Sequence, residues 1–329
     1  MDADAEEFQF LGIVGIFKES IKIILSWREI FIKITLALIL PLAFIFLAHI
    51  QVTEFFFANI TNNQDSLDNT PEDSPTYNTI LDRLSSEWTA FWLFKAVYLL
   101  AVLIFSLLST SAVVYTVACI YTAKEITFKK VMSVVPKVWK RLMVTFLWNF
   151  IIVFAYNIVA VLIILIFLIL FGSATMIIFV LLVLYSVGLV YITVVWHLAS
   201  VVSVLEDSYG MQAMVKSKDL IKGKTQVASA IFLVLNFGFA AIHSAFEKLV
   251  VHGFSLGIGD RVVFGIICCM FLFVMMLLAL VVQTVIYFVC KSYHHENIDK
   301  SCLADHLEVY LGEYVPLHGK DIQLENYYV

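Results

Sequence analysis

The chain is poor in charge, in helix breakers and in cysteine. Only 14% of its 329 residues are Asp, Glu, Lys or Arg, while 61% are apolar. A soluble domain carries about 25% charged and about 45–50% apolar residues, so one large water-soluble core is excluded. With 5 prolines and 13 glycines, collagen-like and Gly/Pro-rich disordered classes are excluded too. The cysteines, Cys119, Cys268, Cys269, Cys290 and Cys302, form no CxxC pair, which argues against a disulfide framework or a structural zinc site. The 21 basic residues are outnumbered by 26 acidic ones. That leaves no cationic excess for phosphate contacts, so no nucleic acid partner is expected. The opening Met1-Asp2-Ala3-Asp4-Ala5-Glu6-Glu7 is acidic, the wrong charge for a secretory n-region or a transit peptide. Membrane entry is therefore expected through an internal apolar span.

A helical span needs about 20 mainly apolar residues. The sequence offers candidates at about 34–50, 96–121, 142–171, 174–205, 227–246 and 262–289. No Asp, Glu, Lys or Arg interrupts the run from Leu142 to Leu205. At about 1.5 Å per residue this run is roughly three times the hydrocarbon thickness, so it must turn back, and Gly172-Ser173 is the expected break. The predicted fold class is an all-α membrane protein with six transmembrane helices in three hairpins, each preceded by a cytosolic amphipathic interfacial helix. Residues 1–33 form a cytosolic N-terminus with an amphipathic helix, 34–290 the six-span membrane domain, and 291–329 a cytosolic tail.

Cations orient these spans. Seventeen of the 21 basic residues fall before span one, between two and three, between four and five, and after six; only Arg83, Lys95, Lys248 and Arg261 fall on the other side. The positive-inside rule then places both termini in the cytosol, in a secretory-pathway endomembrane or the plasma membrane. The outer segment 51–89 is acidic and polar and reads as a loop with one short helix near Tyr77–Trp88. Within it Asn59-Ile60-Thr61 is a glycosylation sequon, close to the bilayer; an unmodified Asn is the plain alternative.

Ahead of spans one, three and five, polar and apolar residues alternate at helical spacing. Val14, Phe17, Ile21, Ile24 and Leu25 oppose Lys18, Glu19 and Lys22. Val131, Met132, Val135, Val138 and Trp139 oppose Lys129, Lys130, Lys137, Lys140 and Arg141. Ala213, Met214, Leu220 and Ile221 oppose Lys216, Asp219, Lys222 and Lys224. A basic face opposite an apolar one favours the headgroup region. Lys129, Lys130, Lys137, Lys140, Arg141, Lys216 and Lys222 are accordingly candidate contacts for anionic lipids of the cytosolic leaflet. Ordinary basic loops obeying the positive-inside rule are the plainer reading of the same residues.

The stretch from Glu206-Asp207-Ser208-Tyr209-Gly210 to Lys218-Asp219-Leu220-Ile221-Lys222-Gly223 has the order acidic, Gly, Ala, basic-Ser, Leu, Gly. Gly210 and Gly223 are placed to bound a short helix that turns the chain back into the bilayer. This stretch resembles the cytosolic elbow of the membrane domain preceding some bacterial glycerophosphodiester phosphodiesterases and related multi-span proteins of unassigned role. The whole chain, with its Glu7-Phe8-Gln9-Phe10-Leu11 opening, resembles a plant family of six-span membrane proteins without an established activity. No phosphodiesterase domain follows the spans, so that activity is not carried over.

Polar groups inside spans are costly and commonly face the bundle or a water cavity. Asn149, Asn157, His197, Asn236, His243, Glu247 and Gln283 form a candidate polar path for a solute or a lipid headgroup; the structural alternative is interhelical hydrogen-bond glue worth about 0.6 kcal/mol each. His294-His295-Glu296 with Asp299 and His306 lacks defined ligand spacing, and no metal is assigned there. Cys290, at the end of the last apolar run, is either a palmitoylation target or a small apolar residue. Tyr314-Val315-Pro316-Leu317 matches a loose tyrosine-based sorting pattern. No Walker loop, GxSxG elbow, HExxH or kinase set is present, so neither an enzyme activity nor a cofactor is expected. The sequence therefore favours a non-enzymatic multi-pass protein that serves membrane organisation, lipid interaction or trafficking, with membrane lipids, protein partners or further copies of itself as partners. A small-solute or lipid transporter or channel built on the polar residues is the alternative.

Overall fold

A computed structural model describes residues 11–71, 74–122, 126–171, 175–253 and 257–294. All regular structure among them is helical. In chain order, α1 spans Ile13–Ser26 and α2 Arg28–Ile34, which runs through a π-helical turn (Thr35–Ile39) into α3, Leu40–Asp68. Then follow α4 (Pro75–Tyr121), α5 (Phe128–Phe171), α6 (Thr175–Leu205) and the short α7 (Met211–Leu220). The last two are α8 (Thr225–Phe246), extended by a π turn at Glu247–Val251, and α9 (Ile258–Tyr293). Six helical stretches are long and apolar enough to cross a membrane: Arg28–Asp68, Pro75–Tyr121, Phe128–Leu170, Met176–Leu205, Thr225–Val251 and Ile258–Tyr293.

These stretches outrun the spans read from hydropathy. The 47 residues of α4 make a helix of about 70 Å, more than twice a hydrocarbon core of about 30 Å. Segment 51–89, expected to be a loop with one short helix near Tyr77–Trp88, is helical among its described residues except at 69–71 and Ser74. The reason is that polarity alone does not stop a helix. Asn62-Asn63-Gln64-Asp65 contains no Gly or Pro, and the breakers wait at Pro71 and Pro75. There Ser74 caps α4 by accepting the Tyr77 N–H (3.3 Å), with Pro75 in the first turn, where its missing N–H costs nothing. The two polar helix ends are tied by Asn63, which donates to both carboxylate oxygens of Glu87 at 2.8 Å. Below them Phe56 and Phe57 meet Phe91 edge-on, with centroids 6.1 and 5.5 Å apart, a favoured aromatic geometry.

The main core lies toward one end of the bundle. It gathers Ala112–Cys119 of α4, Val281–Cys290 of α9 and the Val194–Leu205 end of α6. Around these pack Val131, Val134, Val135 and Val138 of α5, Ile16 and Ile23 of α1, and Ala213, Met214 and Leu220 of α7. A smaller cluster of Ala43, Leu47, Phe246, Val251, Cys268 and Leu272 joins α3 to α8 and α9 farther along. Chain neighbours α3 and α4, α5 and α6, and α8 and α9 pack on each other, and α9 touches α1, α3, α4 and α6 as well. None of the most apolar stretch of α5 is buried and only 6% of that of α6. Side chains such as Phe154, Ile158, Leu165 and Ile169 point outward, which a helix tolerates only in lipid or against another chain.

The three amphipathic segments take different forms. The one ahead of span three is not a separate helix: α5 runs unbroken from Phe128, through Pro136, to Phe171. Its valine face and the Ala213–Met214–Leu220 face of α7 are buried in the protein core rather than turned toward headgroups. α1 keeps an outward apolar stripe, and on α7 Met211 and Val215 also stay exposed. Ile16, Ser20 and Ile23 face the bundle, whereas Val14 (80% exposed), Ile21 and Leu25 (66%) do not. Gly172-Ser173, the Glu7–Phe10 opening, Cys302, most of the histidine and acidic tail cluster, and the Tyr314–Leu317 motif lie outside the described residues.

Candidate functional site

The charged end of the bundle is organised by Glu206, the first residue after α6. Its side chain is 13% exposed. Oε1 accepts from the Tyr287 hydroxyl (2.6 Å) and from Lys291 Nζ (3.1 Å), both on α9. Oε2 lies 2.5 Å from Lys216 Nζ on α7. Burial alone would raise this carboxyl. The hydrogen bonds from Lys216 and Tyr287 and the charge of Lys291 outweigh it and hold the group below the ordinary carboxylate range. One carboxylate thus joins two membrane-crossing helices and the short helix between them.

The elbow backbone is shaped by the two glycines. Gly210 has φ of +63° and Gly223 φ of +87°, conformations that Gly adopts freely and that cost other residues. Gly210 N–H donates to Thr145 Oγ1 of α5 at 2.8 Å. Thr145, fully buried, also shares a hydrogen bond with Ser203 Oγ of α6 (2.7 Å). On the same side Arg141 reaches Asp207 at 3.3 Å and lies 5.9 Å from the Tyr209 ring centroid. At the far end of the elbow Gly223 lies against the Tyr293 ring, which a Cβ would approach to 2.5 Å. Lys224 sits over that ring at 5.4 Å, and the His294 imidazole pairs with the Lys222 carbonyl at 3.0 Å. Between α7 and the end of α9 opens a cavity of about 570 Å³ lined by Met211, Val215, Lys216, Asp219, Leu220 and His294.

The candidate lipid contacts divide. Lys129, Lys137 and Lys140 are exposed on α5, and Lys130 and Arg141 are half-buried. Lys216 is committed to Glu206 and Lys222 to Asp219 (2.7 Å). The Lys222 pair is solvated on both sides and raises the lysine while lowering the carboxyl.

The residues of the candidate polar path do not join one another in a chain of hydrogen bonds among the described residues. His197 and Gln283 are brought together, Nδ1 to Oε1 at 3.0 Å, with the imidazole stacked on Phe232 at 4.6 Å. Asn157 accepts from the Tyr185 hydroxyl at 2.9 Å. Asn236 donates to Phe232 O of its own helix (2.8 Å). The Asn149 oxygen and the Gln283 amide nitrogen are buried without a hydrogen-bond partner among the described residues. His243 and Glu247 are 3.8 Å apart and both well exposed. Asn59 is half-buried within α3 rather than in a loop, next to buried Ile60. Cys290 is fully buried, which leaves no room for an acyl chain on its sulfur in this conformation. Among the described residues no group of three or more His, Cys, Asp or Glu side chains is placed to hold a metal.

A polar cluster that hydropathy conceals joins α3 to α4. Lys95 Nζ lies 2.7 Å from His49 Nε2 and 3.1 Å from Thr53 Oγ1. Their spacing, with His49 and Thr53 one turn apart, signals a common face; the pairing across 46 residues has no local signature.

Helices of this length and apolarity define an integral membrane protein of six membrane-length helices. The chain belongs to the family described as Domain of unknown function (DUF8558), whose model matches residues 1–327. No curated protein and no solved structure matches it.

Proposed function

We propose that this is a non-enzymatic membrane-organising protein. It crosses the bilayer as three helical hairpins with both termini cytosolic and engages anionic lipids of the cytosolic leaflet through its charged end. The observation that carries this reading is the gathering of basic residues at that end. The exposed Lys129, Lys137 and Lys140 of α5 stand beside the elbow that Glu206 and Arg141 tie to α5 and α9. Nearby, α1 packs on α9 and divides its circumference three ways: Ile16, Ser20 and Ile23 to the bundle, Lys18 and Lys22 to water, and Val14, Ile21 and Leu25 outward. A helix so divided suits the rim of a membrane protein, with one strip in the acyl boundary. The likeness of the elbow to the bacterial membrane domain supports a role within the bilayer. The hydrogen bonds formed by Asn157, His197 and Gln283 favour helix-to-helix glue over a solute path.

Each basic residue near an anionic surface contributes about 1 kcal/mol, or about fivefold in lipid preference. The test is a Lys129→Gln, Lys130→Gln, Lys140→Gln variant of the full chain in mixed nanodiscs. Retained phosphatidylserine and phosphatidylinositol are counted against phosphatidylcholine by native mass spectrometry. The expected result is loss of anionic enrichment by an order of magnitude or more. Unchanged enrichment in a normally folded variant refutes the reading.

A further inference from the structure

The His49–Lys95 cluster carries an independent inference. An ammonium has three N–H donors, and two of those on Lys95 go to neutral acceptors, His49 Nε2 and Thr53 Oγ1. For Nε2 to accept from an ammonium, the imidazole must be uncharged with its proton on Nδ1. The ring lies nearly parallel to Tyr98 (centroids 3.6 Å apart) and to Phe94 (5.8 Å), and Lys95 sits 5.2 Å from the Phe91 centroid. No carboxylate lies within ion-pair distance of Lys95 among the described residues: Glu54 faces His252 at 3.3 Å, and Glu87 is held by Asn63. A half-buried cation is therefore fixed in place among uncharged and aromatic groups with one donor unspent. Such a charge is costly on an apolar helix wall unless an anion meets it.

The surroundings identify the anion. Trp88, Trp92 and Lys95 recur at spacings of four and three on α4, which puts them on one side of the helix. Trp92 is 65% exposed, and Phe55 and Phe57 are exposed on α3 at the same level. Exposed tryptophans on a membrane helix mark the headgroup boundary, the depth at which lipid phosphates lie and to which lysines extend. We propose that Lys95, pre-oriented by His49 and Thr53, binds a phosphate oxyanion at the end of the bundle opposite the elbow, the phosphodiester of a bilayer lipid being the ligand that depth supplies. Inorganic phosphate presents the same oxygens, and the experiment separates the two.

The full chain in detergent is acetylated with an N-hydroxysuccinimide ester. The rate at Lys95 is read by peptide mass spectrometry against that at Lys248, an exposed lysine in the π turn that packs against α3. Dihexanoylphosphatidylcholine, dihexanoylglycerol and inorganic phosphate are added in separate arms. At saturating concentration the phospholipid is expected to slow Lys95 about tenfold relative to Lys248 by simple occupancy, and the diacylglycerol not at all. Protection by inorganic phosphate as well, or by it alone, keeps the oxyanion site and assigns it to the free ion as well or instead. Thr53→Val, which removes one orienting partner, is expected to reduce protection about threefold. Equal protection by the diacylglycerol means acyl chains merely cover the lysine and overturns the proposal, as does no protection in any arm.

Discussion

Replacing Glu206 by Gln tests the organisation of the elbow most directly, because it removes charge while keeping shape and one acceptor oxygen. Loss of one partner from a fully buried ion pair costs about 3–5 kcal/mol. Here the stranded lysines are partly wet, with Lys216 38% and Lys291 19% exposed. Solvent screening lowers the expected cost to about 2 kcal/mol. For a chain of this size that is a fall of about 3 °C in the apparent unfolding midpoint, followed by tryptophan fluorescence in detergent at pH 7. Amide exchange across α7 is expected to rise in parallel, since the short helix loses its tie to α9. A second substitution separates charge from packing. Adding Lys216→Met to the Glu206→Gln variant removes one stranded cation and is expected to restore about 1 kcal/mol.

Acid supplies a further control on the same residue. Its native carboxyl is held below the ordinary range, so its contribution is fully present above the unfolded value near 4.3 and disappears as pH falls through the native one. Wild type and Glu206→Gln should therefore keep a constant stability gap between about pH 7 and 5 and converge below about pH 4. A midpoint within about 1 °C of wild type at pH 7, or a gap that closes while pH rises, refutes the Glu206 assignment.

Thr145→Val leaves the buried Gly210 N–H and Ser203 hydroxyl without their 2.8 and 2.7 Å partner. Stability should fall by about 1–3 kcal/mol, read as a lower midpoint with normal membrane insertion. Gly223→Ala forces a side chain into the left-handed region at φ +87° and against Tyr293. The ring is 41% exposed and can swing away, so the backbone term of about 1–2 kcal/mol remains. Quenching of tyrosine and amide exchange at the end of α9 should both report the displacement. A Gly223→Ala midpoint equal to wild type would show that the turn tolerates another conformation.

The membrane class and the number of long apolar helices were legible because hydrophobic length has no other common use: a run such as Leu142–Leu205 cannot be hidden in a soluble fold. The elbow was legible for a different reason. Gly210 and Gly223 mark positive φ, and both glycines do lie where the backbone needs it. Polar composition misled the reading at 51–89, because a helix once nucleated propagates through Asn, Gln and Asp, and the prolines that lack the next N–H donor stand only at Pro71 and Pro75. At Lys216, which reads as a headgroup contact from helical spacing, the structure adds a partner the spacing does not show, the Glu206 carboxylate. Neither the 85-residue reach from Glu206 to Lys291 nor the pairing of His49 with Lys95 leaves any mark in local periodicity. Both arise from where packing places helix ends, so the charges that a sequence assigns to the solvent or the headgroups are the ones whose partners only the fold reveals. After that subtraction Lys129 and Lys140 stand on the exposed face of α5, and they set how much of the basic end is available to lipid.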